Sequence, residues 1–561
     1  MRQNHMYLVF IFLAKFSNTM TYKDWGMILY RKQLKFIAII LAAGKGTRLR
    51  PITYQKPKCL VEVNGKPILR YQLDGFIKAK VDLIIIVIGY LGEKIRRYIE
   101  TLPKHMRSHI LIVENKEYEV TNNMYSLKLA LDDILSSSID FEYAFIINGD
   151  VVIEDKLVLH AVRKTSGSKI FVDRSIYTEE SMKVTVDNDQ RITDISKEIP
   201  KERAYGVSID LYRFSYEDVL KLYDIIEMYI KSNIRDRWTE VAIQYGVQKR
   251  LLEIFPEDIT GYLWWEIDNQ NDLIYASYLF RLSDINYLLI KKDICIFDLD
   301  GTIISGFRAI PYAKELIELL ISNGKKIVFL TNNTSRTNRE HLIHIISILR
   351  LPSNLKSDAL YIYSALDFLV SFLKKNNIKR IYPLLSSTVV DYLKKEGFVI
   401  DSNNPQVIIV GFDTELNYHK LKKASILIQK GIPWILANPD LRCPWGDLYI
   451  PDAGSIGLLI KSVTEKEPLL VGGKPRPEML DYISRKFNTP KDRLIYFGDR
   501  IYTDLEMAKN AGIDFCLVLT GETKMEDFIE YAKQVGNLRN LFLCPNWHFL
   551  YERIKKLTIK N

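Results

Sequence analysis

The sequence predicts an α/β protein with largely parallel sheets, and three observations carry that prediction. Short apolar runs, among them "FIAIILAAG", "LIIIVIGY", "YAFIINGD", "DICIFDLD", "KKIVFLTNN", "VIIVGFD", "PWILANPD" and "RLIYFGD", alternate with amphipathic stretches of helical period. The runs are continuously apolar rather than alternating, as strands covered on both faces must be. Several of them end in Gly, Asp or Asn, at the strand ends where open α/β sheets gather their ligands. Chemistry is therefore expected there.

A chain of 561 residues is too long for one ordinary core. The hydrophobic fraction of 47% and charged fraction of 26% exclude extensive disorder. The net charge of +10 is unevenly spread, because residues 1–36 hold six Lys or Arg against one acid. The remaining excess suits a protein that handles phosphate anions, and nothing in it calls for a nucleic acid. Five cysteines, Cys59, Cys295, Cys443, Cys516 and Cys544, form no Cys-x-x-Cys pair, which argues against zinc and disulfides and fits a reducing, cytoplasmic setting. The early run "MYLVFIFLA" is too short to span a bilayer, so residues 1–34 read as an N-terminal extension and no membrane partner is expected. No linker-like segment separates the halves. The best boundary lies between Arg281 and Asp293, giving domains over residues 35–285 and 292–561.

In the first half, "LAAGKGTRLRPITYQKPKCLVEVNGKP" follows directly on an apolar strand. Gly44 and Gly46 let backbone amides approach a polyphosphate, and Arg48 and Lys58 add cations, so a triphosphate is the natural ligand. Asp150 ends "FIINGD", and Glu266 and Asp268 in "WWEIDNQNDL" are spaced so that a strand directs both to one face. The composite resembles the sugar-phosphate nucleotidyltransferase family from about Lys35 to Leu279. "TNNMYSLKLA" and "WWEIDNQNDL" resemble most its phosphocholine cytidylyltransferase branch. The resemblance implies a nucleotide held by Leu41, Ala42, Ala43, Gly44, Gly46, Thr47, Asn122 and Asn123. It also implies Mg²⁺ on Asp150, Glu266 and Asp268, and an acceptor phosphate near Lys183 and Lys197.

In the second half, Asp298 and Asp300 of "DLDGT" end a buried strand two residues apart, the first suited to attack phosphorus and the second to move a proton. The arrangement resembles the haloacid dehalogenase superfamily, whose other motifs follow in order. By that resemblance Thr331 in "VFLTNN" serves the transferring phosphoryl group and Lys474 in "GGKPRP" stands beside the nucleophile. Asp499 and Asp504 in "YFGDRIYTD" join Asp298 and Asp300 around Mg²⁺. More than a hundred residues separate Thr331 from Lys474, enough for an inserted α/β cap at about residues 337–465. "VGFDTELNYHKLKKA", "ILANPD" and "IPDAGS" resemble the cap of the p-nitrophenylphosphatase and phosphoglycolate phosphatase branch, which implies substrate contacts at Asn333, Asn438 and Asp440. Asp452 stands where that branch usually has Gly.

The expectation is a nucleotidyltransferase Rossmann-like domain followed by a haloacid dehalogenase-like Rossmann domain. The first moves a nucleotidyl group, CMP from CTP by resemblance, onto a small phosphomonoester with release of pyrophosphate. The second hydrolyses a small phosphate monoester through an aspartyl-phosphate. A UTP- or dTTP-dependent sugar-phosphate enzyme is one alternative, and a regulatory nucleotidyltransferase-like subunit another, though Arg48, Lys58, Asp150 and Asp268 speak against the latter.

Overall fold

The computed structural model describes residues 34–137, 139–163, 166–352, 358–445, 448–536 and 538–558. Apart from Leu34, the expected extension over residues 1–34 lies outside the described residues. The chain divides into two compact units between Ala276 and Ser277. That division falls earlier than the expected boundary at residues 285–292. The reason is local: Tyr278 Oη donates to the Gly536 carbonyl at 2.9 Å, the Tyr278 ring meets Phe528 edge-on, and Arg281 Nη1 donates to the Leu541 carbonyl at 2.9 Å. Residues 277–285 thus belong to the second unit.

The first unit is built on the strand Leu34–Ala42, with Leu83–Ile88 and Phe141–Asn148 parallel on either side. Successive side chains of that strand go to opposite faces. Ile37, Ile39 and Leu41 enter one core with Leu127, Leu131 and Phe214, while Ala38, Ile40 and Ala42 enter the other with Leu73, Phe76 and Phe145. Burial on both sides explains why the run reads as unbroken apolar sequence. Gly206–Ser215 joins the far edge of Phe141–Asn148 antiparallel, so the sheet is mixed, with its parallel part ending at the loop Ala43–Gly46 and at Gly149–Asp150. A two-stranded ribbon, Val151–Ile153 against Trp264–Glu266, sets Glu266 opposite Val151 and hence next to Asp150.

The second unit has a six-stranded parallel sheet in the order Leu360–Ser364, Lys326–Thr331, Ile294–Asp298, Leu494–Gly498, Asp514–Val518, Leu541–Cys544. A separate five-stranded parallel sheet runs Val399–Ile400, Arg380–Leu384, Val407–Val410, Trp434–Leu436, Leu470–Val471. This inserted sheet corrects the expected cap limits of 337–465. Leu360–Ser364 pairs residue for residue with Ile327–Thr331 and so belongs to the larger sheet, and the last cap strand extends to Val471. Asp298, Thr331 and Asp499 stand at or just beyond the carboxyl ends of three neighbouring central strands. All five cysteines are buried and free of disulfides, and among the described residues no helix is long and apolar enough to cross a membrane.

Candidate active sites

In the first unit the glycine-rich loop leaves the strand Leu34–Ala42 and turns at Gly46, whose φ of 59° lies in the left-handed region. A Cβ at Gly46 would come within 3.1 Å of the Lys58 side chain, so glycine both permits the turn and leaves room for that lysine. Lys58 Nζ donates to Asp150 Oδ2 at 2.6 Å and to Asp268 Oδ1 at 2.8 Å, and Arg48 Nη2 reaches the same Asp268 oxygen at 2.8 Å. Burial opposes the charge on Lys58, but Asp150 and Asp268 carry its pKa above the ordinary value. Burial likewise opposes ionisation of Asp268, yet Lys58 and Arg48 hold it below the usual carboxylate range. Glu266 is pushed up by burial and by Asp210 and Asp150. Carboxylate oxygens of Asp150, Glu266 and Asp268 lie within 4.8 Å of one another.

The scaffold under this triad is specific. Gly149 approaches the Leu41 carbonyl so closely that a Cβ would sit 2.9 Å from it. Gln72 donates to the carbonyls of Asn148 and Val151, both at 2.8 Å, clamping the turn that carries Asp150. The Ile267 amide donates to the Asp150 carbonyl at 3.0 Å.

Other expected residues are placed differently. Asn122 caps the helix Asn123–Ser136, its side chain accepting from the Asn123 amide. Asn123 donates to Asn148 Oδ1 and accepts from the Thr239 amide, so both asparagines hold the scaffold. Lys183 is buried with its ammonium donating to the carbonyls of Glu179 and Lys197, while the Lys197 ammonium lies 5.0 Å over the Trp238 ring. Sequence reasoning missed an acid pair near the triad. Asp210, at φ 54°, accepts from Asn148 Nδ2 at 3.1 Å and meets Tyr212 Oη at 3.1 Å, and Tyr212 Oη also lies 2.8 Å from Glu240 Oε1. Burial pushes both carboxyls above the ordinary range. Only a strand bulge, the register shift between Ser208 and Tyr212, aims Asp210 there, and no spacing in the sequence announces it.

In the second unit Lys474 Nζ donates to Asp298, to Asp504 Oδ1 at 2.8 Å and to Tyr496 Oη at 3.2 Å. Burial disfavours its charge, but Asp298 and Asp504 raise its pKa. Burial pushes Asp298 up against the pull of Lys474, with Asp504 and Asp499 adding to the rise. Asp298, Asp499 and Asp504 bring carboxylate oxygens within 4.8 Å of one another. Asp300 stands outside that cluster, whereas it was expected among the metal ligands; burial raises it, against Arg500 and Lys474, which suits a proton donor. Thr331 and Asn332 are buried beside the cleft, and Asn332 fixes the cap strand end by accepting from the Lys474 amide at 2.7 Å and donating to Asp440 at 3.2 Å. Asn438 donates to the Asn332 carbonyl at 2.8 Å. Asn333 lines the cleft, its side-chain oxygen accepting from Ser335 and its amide directed to Cys443 Sγ at 3.9 Å. Arg500, unremarked in the sequence although it directly follows Asp499, is nearly buried and lies 3.7 Å from Asp440 and 2.9 Å from Glu522. Asp452 caps the helix Ala453–Thr464 and lines the cleft, its carboxyl pushed up to about 7 by burial.

A divalent cation fits both clusters on the same ground. Asp150 Oδ1 and Asp298 Oδ2 are buried with no hydrogen-bond partner among the described residues, and each cluster sets three carboxylates against two cations, Lys58 and Arg48 in the first and Lys474 and Arg500 in the second.

A nucleotidyl transferase family model matches residues 37–267, a haloacid dehalogenase-like hydrolase model residues 295–399, and a HAD-hydrolase-like model residues 471–538. The chain is similar to phosphoglycolate phosphatase 2 of Arabidopsis thaliana, 29% identical over 286 residues that cover 46% of this chain and 93% of the relative. It is also similar to ribonucleotide monophosphatase NagD of Escherichia coli K12, 27% identical and covering 43% and 92%. Among solved structures, a 4-nitrophenylphosphatase from Thermotoga maritima is 35% identical, with a TM-score of 0.43 and coverage of 48% of this chain and 99% of that one.

Gly301 has a φ of 89°, and a Cβ there would lie 2.3 Å from Asp499 Oδ2. Gly301→Ala should therefore displace Asp499 and lower phosphate-ester hydrolysis by about 100-fold, with a cooperative melt retained. His341 supplies a pH test. It is buried, donates from Nε2 to the Asn333 carbonyl at 3.1 Å, and burial pushes its imidazole down to about 4. Because the folded pKa lies below the unfolded value of about 6.5, the unfolded chain takes up the proton first, and stability drops as pH falls from about 6.5 to about 4. His341→Gln should remove up to about 3 kcal/mol of that loss, read as a smaller fall in Tm across the window than wild type shows.

Proposed function

The chain belongs to two families, the nucleotidyl transferases over residues 37–267 and the haloacid dehalogenase-like hydrolases over residues 295–399 and 471–538, and from that premise we propose a cytidylyltransferase joined to a small phosphomonoesterase, each using Mg²⁺. The observation that carries the reading is common to both units. A strand-end aspartate keeps one buried carboxylate oxygen without a partner, inside a triad of carboxylates bridged by one lysine.

In the first unit, a phosphomonoester oxygen of the acceptor attacks the α-phosphorus of the triphosphate, the bond to the β-phosphate oxygen breaks, and pyrophosphate leaves. The acceptor phosphate is already ionised, so no protein nucleophile is required. The task is to bring anions together, which Lys58, Arg48 and the amides of Gly44 to Thr47 serve. A divalent cation on Asp150, Glu266 and Asp268 would supply further charge neutralisation to the phosphates. The preference for CTP over UTP or dTTP rests on the segments Asn122–Ser126 and Trp265–Asp268. Since Asn122 and Asn123 face the scaffold, they bear on the base indirectly, through the position of the helix that they begin.

In the second unit, Asp298 attacks phosphorus, the ester P–O bond breaks, and Asp300 gives its proton to the leaving alkoxide. Asp300 then takes a proton from water as that water attacks the aspartyl-phosphate, releasing phosphate and restoring Asp298. Lys474 and Thr331 hold the phosphoryl oxygens. A divalent cation on Asp298, Asp499 and Asp504 would offset the charge of nucleophile and ester. The five buried cysteines, none of them in a disulfide, support a place in a reducing compartment such as the cytoplasm.

Two substitutions separate the reactions. Asp150→Asn should cut pyrophosphate release by roughly 100-fold or more while p-nitrophenyl phosphate hydrolysis persists, and Asp298→Asn should do the reverse. Loss of both reactions from either variant, in protein that still melts cooperatively, would show one composite site. A screen of nucleoside triphosphates should give the fastest pyrophosphate release with CTP; faster release with UTP or dTTP for every acceptor would overturn the base assignment and leave the family intact.

A further inference from the structure

Beyond Asp300 and Thr331 the phosphoryl cleft of the second unit opens into a chamber of about 240 Å³. Its wall is apolar where Phe307, Phe412, Trp445 and Ile450 face it. Phe307 comes from the hairpin Ile304–Ala309 beside the nucleophile strand and Trp445 from the cap hairpin Arg442–Pro451, and their rings meet edge to face at 5.0 Å, closing the outer side.

The polar side of the chamber is unbalanced. Arg336 and His344 both line it, and among the described residues neither side chain has a hydrogen bond or an ion pair. Arg336 is half-buried. A guanidinium cannot shed its proton, so its charge needs an anion or bulk water. Asp300, the one acid among its lining residues, stands at the phosphoryl end, where it also lines the cleft, and among the described residues it forms no ion pair with Arg336. His341, the third basic residue on this wall, is already engaged with the Asn333 carbonyl. Two adjacent, unengaged donors thus face a space that begins at the proton donor for the leaving alcohol, the position any leaving group must occupy.

We propose that this chamber is the leaving-group subsite and that it takes a phosphomonoester whose alcohol carries a second anionic group, a carboxylate or a second phosphate, bound by Arg336 and His344. This rests on the phosphomonoesterase reading of the second unit. The phosphoryl group sits at Asp298 and Lys474, the carbon skeleton lies along Phe412 and Ile450, and the far anion accepts from the guanidinium. The Phe307–Trp445 contact covers the skeleton from water.

The test uses full-length protein and matched ester pairs. Phosphoglycerate against glycerol phosphate isolates a carboxylate, a hexose bisphosphate against the hexose monophosphate isolates a second phosphate, and p-nitrophenyl phosphate reports turnover with no second anion. Wild type should favour at least one doubly anionic member by about tenfold or more in kcat/KM, chiefly through KM, and which pair shows it tells carboxylate from phosphate. Arg336→Gln should collapse that ratio, Arg336→Lys should restore part of it, and His344→Gln should lower it in a protein whose melt is unchanged. Equal turnover within both pairs, or a preference that survives Arg336→Gln, would overturn the subsite. Failure to hydrolyse every ester, p-nitrophenyl phosphate included, would instead overturn the phosphomonoesterase reading and this inference with it.

Discussion

Like charge held at the end of a buried strand is the constraint on which both units depend. Asp150, Glu266 and Asp268 in one, and Asp298, Asp499 and Asp504 in the other, each crowd carboxylate oxygens within 4.8 Å. Removing even one such charge from water without a partner costs of the order of several kcal/mol. Cations relieve part of this in each case, Lys58 by bridging Asp150 and Asp268 with Arg48 beside it, Lys474 by bridging Asp298 and Asp504. The part left over is repulsion that the fold holds in place.

The backbone bears the strain of that arrangement. Gly149 lies against the Leu41 carbonyl, Gly301 against Asp499 and Gly473 against Asn332, each closer than a Cβ would allow. The hydrogen bonds around these points are short-range and rigid: Gln72 clamps the turn under Asp150, and Thr302 Oγ1 and the Glu522 amide hold the two oxygens of Asp499. Parallel strands deliver the carboxylates to one edge, and the sheets, covered on both faces, keep that edge from drifting. In the second unit the cap adds what the core lacks. Asn332 of the core meets Asp440 of the cap, and Phe307 of the core meets Trp445 of the cap, so the space beyond the phosphoryl group is shaped by both.

How much of this could be read from residues alone differs from motif to motif. Asp298 and Asp300 were legible from their strand-end spacing, and Thr331, Lys474, Asp499 and Asp504 from the resemblance of their ordered motifs; the structure brings their side chains around one cleft. Glu266 and Asp268 were legible from their two-residue spacing. Asn122 and Asn123 were equally conspicuous and are engaged in capping a helix and tying it to Thr239, since an asparagine before a helical run serves either purpose and spacing cannot tell which. Lys183, a plausible phosphate contact by position, has its ammonium taken by two carbonyls.

By itself the sequence determined the α/β class, the two families of motif and the strand ends at which chemistry gathers, because continuous apolar runs closing on Gly, Asp or Asn are local facts about the chain. The tertiary structure alone decided where the first unit stops, since Tyr278 and Arg281 find their partners more than two hundred residues away. It alone decided that Leu360–Ser364 belongs to the core sheet rather than to the cap. It also set which charged groups are paired: Asp210 is turned toward Asn148 by a bulge, and Arg336 lines a chamber without an ion pair of its own among the described residues. The physical reason is the same each time. Charge balance and burial are sums over neighbours in space, and neighbours in space are what a linear sequence does not list.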